Sequence, residues 1–123
     1  MPFIIYAKDK PNSTLRAQHR GAHLEFVATC REVFLYGGPM LDEGGKVVGS
    51  LMVLDLPDRA ALDAHMARDP YFVEGILGSV EIFESRQIVP DVTPDSLDAE
   101  VAKQRAAEAA KSVRRGCPGQ ARP

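Results

Sequence analysis

Cysteine is scarce: Cys30 and Cys117 are the two in the chain, one in an apolar stretch and one in a Gly- and Pro-containing tail. Their contexts give neither a disulfide framework nor metal-ligand spacing, so reduced thiols in a cytoplasmic protein are expected. No apolar run reaches membrane-spanning length. The opening Met1–Tyr6 is apolar, but Lys8 and Asp9 interrupt it well short of a signal-peptide core, and no secretion signal is expected. Charge of one sign is not in excess: the net charge is −2, which gives no general pull toward nucleic acid or membrane. The chain lacks the nucleophile elbow of a serine hydrolase. Gly37-Gly38-Pro39 lacks the spacing of a phosphate loop. No acidic third ligand joins His19 and His23 at helical spacing, so no metal is expected.

The 123 residues suffice for one domain with a single core. Charge is unevenly placed along them. Residues 1–100 hold nine Lys/Arg against sixteen Asp/Glu, a net of −7; residues 101–123 hold six against one, a net of +5. An acidic domain over 1–90 followed by a basic helical extension over 91–123, its end frayed, is the reading.

Pro2–Lys8 is dense in β-branched and aromatic residues and predicts a strand that stops at Asp9-Lys10-Pro11-Asn12. Ser13 or Thr14 can cap the helix predicted over Thr14–Phe34. On it Leu15, Phe26, Val27, Cys30, Val33 and Phe34 share one arc, with His19 and His23 in its middle. Gly37-Gly38-Pro39 cannot continue a helix, and Leu35–Met40 reads as a short strand. The turn Asp42–Lys46 leads into Val47–Leu56, apolar on both faces and therefore expected to be covered on both. Asp58 caps a second helix over Arg59–Arg68, one more turn follows at Tyr71–Glu74, and Val80–Val89 is the last strand. The order βαββαβ predicts a ferredoxin-like α+β fold, a four-stranded sheet with both helices on one face. The bare face then needs a cover, and a second copy packed sheet to sheet supplies it, giving a dimeric α+β barrel or a higher oligomer. Ser96–Arg115 is rich in strong helix formers and predicts a C-terminal helix that stops at Gly116 and Pro118.

His23 can take and give a proton near neutral pH, so it is either a general acid–base group or a helix histidine bonded to a carboxylate or carbonyl. Asp69 either caps the turn that begins at Pro70 or faces a pocket; one oxygen can cap while the other faces inward. Arg16, Arg20 and Arg31 lie at the edge of the histidine stripe, where one of them could hold an anionic ligand; solvated helix charges are the plainer alternative. His19, His65 on the second helix, Ser50 among apolar strand residues, Gly38 and Pro39 with their open backbone, and Tyr71 complete the candidate ligand-binding set. Phe26, Met40, Met52, Tyr71 and Phe72 would set the size of the pocket.

Five segments share an order and spacing: Tyr6-Ala7-Lys8-Asp9-Lys10-Pro11; Arg16 through His23-Leu24; Gly37-Gly38-Pro39; Gly49-Ser50; and Asp69-Pro70-Tyr71 with Glu74-Gly75. Together they resemble the YciI-like (YCII-related) proteins over about residues 1–90. The resemblance implies a ferredoxin-like fold, a dimeric barrel and an active site built on a histidine and an aspartate, which fall on His23 and Asp69. One branch of that family is similar to a dehydrochlorinase acting on a chlorinated hydroxyquinol. The implied function is therefore a cofactor-independent elimination or isomerisation on a small aromatic or lactone-like molecule. The alternative is a small-ligand binding or sensing dimer without chemistry. His19, His65 and the tail after Pro90 are not part of the family pattern.

Overall fold

The computed structural model describes residues 1–115. They divide into two compact units, Met1–Arg86 and the segment from Gln87 onward. The first unit holds β1 (Pro2–Asp9), α1 (Leu15–Thr29), β2 (Phe34–Leu41), β3 (Val47–Asp55), α2 (Arg59–Met66), the single-turn α3 (Pro70–Val73) and β4 (Leu77–Glu84). The second holds α4 (Ser96–Arg115). The expected helix stop at Gly116 and Pro118, the frayed end and Cys117 lie outside the described residues. No described helix is long and apolar enough to cross a membrane.

The sheet has the order β2-β3-β1-β4, with every neighbouring pair antiparallel. β1 is central because both its faces are apolar; Ile5 stands opposite Met52 on one side and Ile82 on the other. This is the ferredoxin-like α+β fold that the βαββαβ order predicts. Phe3, Ile5, Ala7, Met52 and Leu54 are buried with Leu62 of α2 and form the core, with Phe34, Met66, Phe72 and Ile82 packed around them. Alternation puts Ile4, Tyr6, Leu51 and Val53 on the opposite face, in register with Tyr36 and Phe83. Tyr36 and Phe83 are each 52% exposed. β1 and β3 approach closely at Gly49, where a Cβ would strike the Ala7 carbonyl oxygen and lie 2.7 Å from the Met40 methyl.

Two elements depart from the sequence reading by three residues or more, and the second helix stops two residues early, at Met66. The first helix ends at Thr29 rather than Phe34. The Thr29 hydroxyl bonds back to the Phe26 carbonyl at 2.6 Å, Cys30 leaves helical geometry, and a short 3₁₀ turn over Arg31–Val33 delivers Phe34 into β2. The run Val33-Phe34-Leu35-Tyr36 prefers a pleated surface, and pairing with β3 overrides the helical period there. The last strand runs over Leu77–Glu84, not Val80–Val89. Gly75, at φ +71°, turns the chain straight out of α3. The strand ends where its partner does: Phe3 faces Glu84, and Ser85 N–H donates to the Pro2 carbonyl at 2.8 Å.

Helix α1 carries no fully buried residue, despite its apolar arc. The space beneath it is a cavity.

Candidate active site

That cavity, about 650 Å³, lies between α1 and the inner face of β2 and β3. From α1 come Arg16, Ala17, Arg20, His23, Leu24 and Val27; from β2, Gly37, Gly38 and Pro39; from β3, Ser50 and Met52. Asp9, Lys46 and Tyr71 complete its charged and aromatic lining. The period-2 alternation of β3 aims Ser50 and Met52 to the same side as Leu54, and Pro39 sits opposite Ser50. The β-hairpin at Asp42–Lys46 is what brings Lys46 to the rim.

His23 forms part of the wall, with its side chain 13% exposed. Its Nδ1 lies 2.7 Å from Asp69 Oδ1. Asp69 is wholly buried. The same Oδ1 accepts the Tyr71 backbone N–H at 3.0 Å, so one oxygen caps α3 and holds the imidazole. A carboxylate oxygen can only accept, so Nδ1 is the donor in this pair, and in the neutral ring Nε2 is the nitrogen that keeps a lone pair. The Tyr71 ring lies parallel to the imidazole, centroids 3.7 Å apart and planes within 5°. This stack fixes the ring plane, and the carboxylate fixes its rotation.

Arg16 is held by a fork. Its Nε and Nη2 donate to the two Asp9 oxygens at 2.6 and 2.8 Å, and Nη2 also donates to Ser50 Oγ at 2.8 Å. The paired Asp9 carboxylate raises the Arg16 pKa above its usual value against the opposing effect of burial. Its guanidinium carbon lies 4.6 Å from the Tyr71 ring centroid. Arg16 is thus an internal strut of the pocket wall rather than a solvated helix charge. Arg20 and Lys46 line the cavity with no ion-pair partner among the described residues.

The structure brings together His23, Asp69, Arg16, Gly38, Pro39, Ser50 and Tyr71. It places the other two expected ligand-binding residues elsewhere. His19 lies off the cavity, 4.0 Å from Glu74: at about 100° per residue it falls beyond the His23 edge of the arc that Arg16, Arg20, Leu24 and Val27 occupy. His65 is buried behind the wall between Phe26 and Phe34, at ring separations of 5.0 and 5.6 Å. Burial pushes its pKa below the ordinary histidine value. Asp69 also differs from expectation in one respect: neither of its oxygens opens onto the cavity, and His23 stands between. Of the residues expected to set pocket size, Met52 and Tyr71 line it; Phe26, Met40 and Phe72 do not. Asp9 and Lys46 were not foreseen. The signal for Asp9 is an acid closing a strand seven residues before an arginine on the next helix.

Comparison with known proteins agrees with this architecture. No curated protein matches the sequence. Among solved structures, the chain is similar to the 5-chloro-2-hydroxyhydroquinone dehydrochlorinase of Burkholderia phenoliruptrix AC1100, determined with 2,5-dihydroxybenzoquinone. The TM-score is 0.67 at 24% identity, over 71% of this chain and 95% of that one, which establishes a common fold. The family model of the YCII-related domain matches residues 1–86, the whole of the unit that contains the sheet and the cavity. The chain therefore belongs to the YCII-related domain family.

Proposed function

We propose that the chain is a cofactor-independent acid–base enzyme, a lyase or isomerase acting on a small aromatic or lactone-like molecule in the cavity under α1. The observation that carries this is the buried Asp69 oxygen 2.7 Å from His23 Nδ1, with the ring forming part of the cavity wall. A carboxylate behind a histidine fixes its tautomer and stabilises the imidazolium formed when Nε2 takes a proton. Such a group contributes about 10²–10⁴-fold to rate.

The similar solved structure suggests the reaction: removal of HCl from a chlorinated hydroxyhydroquinone. His23 Nε2 takes a phenolic proton, the ring electrons move toward the chlorine-bearing carbon, and that carbon gains a proton. Chloride then leaves with the C–Cl electron pair as a second phenolic proton departs. The sum is loss of one proton and one chloride, leaving a quinone. For an isomerisation, the proton held on His23 returns at another carbon. The Arg16–Asp9–Ser50 network keeps the pocket wall rigid while this happens.

The test is chloride release from 5-chloro-2-hydroxyhydroquinone. The wild-type chain is expected to release it above the uncatalysed rate, and His23→Ala to lose about 10²-fold or more. Binding of the compound without chloride release, equal in wild type and His23→Ala, would instead favour a ligand-binding dimer.

The assembly we propose is a homodimer through the outer sheet face. Half-exposed Tyr36 and Phe83, in register with Ile4 and Val53, support it. Sedimentation equilibrium should give twice the chain mass, and Tyr36→Glu together with Phe83→Glu should give a folded monomer. A monomeric wild-type chain would sink this assembly.

A further inference from the structure

Among the described residues, two buried side-chain polar atoms have no hydrogen-bond partner: His65 Nε2 and Asp69 Oδ2. They are complementary, one able to donate and the other only to accept. They are also neighbours in the chain, four residues apart across the end of α2. Leaving a buried donor or acceptor unsatisfied is destabilising. A buried donor and a buried acceptor left unpaired are normally satisfied, directly or by an ordered water.

The surroundings leave His65 little else to bond. Phe26 of α1 and Phe34 of β2 pack against its ring and offer no acceptor. The charged and titratable groups acting on it are Asp69, Arg68 and, from α1, His23. Arg68 and His23 oppose a proton on the ring, as does burial; Asp69 alone favours it. A neutral imidazole with Nε2–H toward the carboxylate satisfies all four influences.

We propose that His65 is a positioning residue, a second imidazole on Asp69: its Nε2–H donates through one ordered water to Asp69 Oδ2. Asp69 is then held from both sides. Oδ1 takes His23 and the Tyr71 N–H; Oδ2 takes the bridge. The carboxylate's negative charge is shared between two imidazoles, and its plane, hence the direction of the His23 ring, is fixed by both. This inference uses the acid–base reading only in naming His23 as the base. The linkage itself is read without a substrate.

The experiment is ¹⁵N-edited NMR of the full chain labelled at histidine, near neutral pH. His65 is expected as the Nε2–H tautomer with a slowly exchanging proton. In His65→Leu, which keeps the site apolar and filled, the His23 Nδ1 proton is expected to move downfield, because the carboxylate it faces no longer shares its charge. In His65→Gln, whose amide nitrogen can donate from nearly the same place, that proton is expected to return toward its wild-type position. A space-filling role alone would leave the His23 proton unmoved in His65→Leu, and that result overturns the proposal. So does a wild-type His65 found as the Nδ1–H tautomer, a measurement that needs no variant. Failure to release chloride with these shifts present would refute the dehydrochlorination and leave the linkage standing; chloride release without them would do the reverse.

Discussion

Asp69→Asn separates the structural work of the carboxylate from its chemical work. Asparagine has the same shape and is as good a helix cap as aspartate, so its side-chain oxygen can still accept the Tyr71 N–H that Asp69 accepts at 3.0 Å. Two terms change. The bond to His23, 2.7 Å long, loses its charge assistance, a loss of about 1 kcal/mol if such bonds are roughly twice as strong as neutral ones. Against this, a wholly buried charge is removed, which offsets a comparable amount. The net change in urea-unfolding free energy should stay within about 1–2 kcal/mol. The chemical change is far larger. The uncharged amide no longer stabilises an imidazolium. Chloride release should fall by about 10²–10⁴-fold, equivalent to some 3–5 kcal/mol of transition-state stabilisation. Two results would refute this reasoning: turnover within a few-fold of wild type, or a folded state weakened by more than about 4 kcal/mol.

Two further perturbations test the frame around the site. Gly49→Ala places a methyl on the Ala7 carbonyl oxygen and against the Met40 methyl, where β3 meets β1; the strands must part, with a loss of about 1–3 kcal/mol or more in denaturant unfolding. An unchanged midpoint would show that the two central strands yield there. The pH dependence of stability follows from His65, whose pKa is lowered by burial in the folded chain. The unfolded chain therefore binds the extra proton first, so stability is full above about pH 6.5 and falls as the pH drops below it. His65→Leu should remove that component, and a wild-type unfolding midpoint equal at pH 7.5 and pH 5.5 would contradict it.

The sheet was legible because its strands obey a simple period: Phe3, Ile5 and Ala7 inward, Ile4 and Tyr6 outward. The caps were legible too, since Asp58 and Asp69 sit where the structure uses them, each accepting a backbone N–H. Boundaries at Thr29 and Leu77 were not, because both are decided by pairing with distant strands and not by local preference. The His23–Asp69 contact spans 46 residues, and spacing alone left each residue with two readings; the family resemblance singled them out. The Arg16–Asp9 fork was missed although both residues are plain in the sequence, because a strand end and a helix start read as separate elements hide what the turn between them brings together. The partnerless Asp69 oxygen has no sequence signature at all, since it depends on what does not reach it in three dimensions.

Folding and the contour of the cavity are carried by different parts of this molecule. The hydrocarbon that drives collapse is the sheet with Leu62, whereas the long first helix seals nothing completely. Exchanges at Ala17, Leu24 or Val27 can therefore recontour the chamber while leaving the foundation intact. Natural drift or laboratory selection could retarget such a scaffold to new compounds through that one span, with the imidazole and its buried acid carried along unchanged.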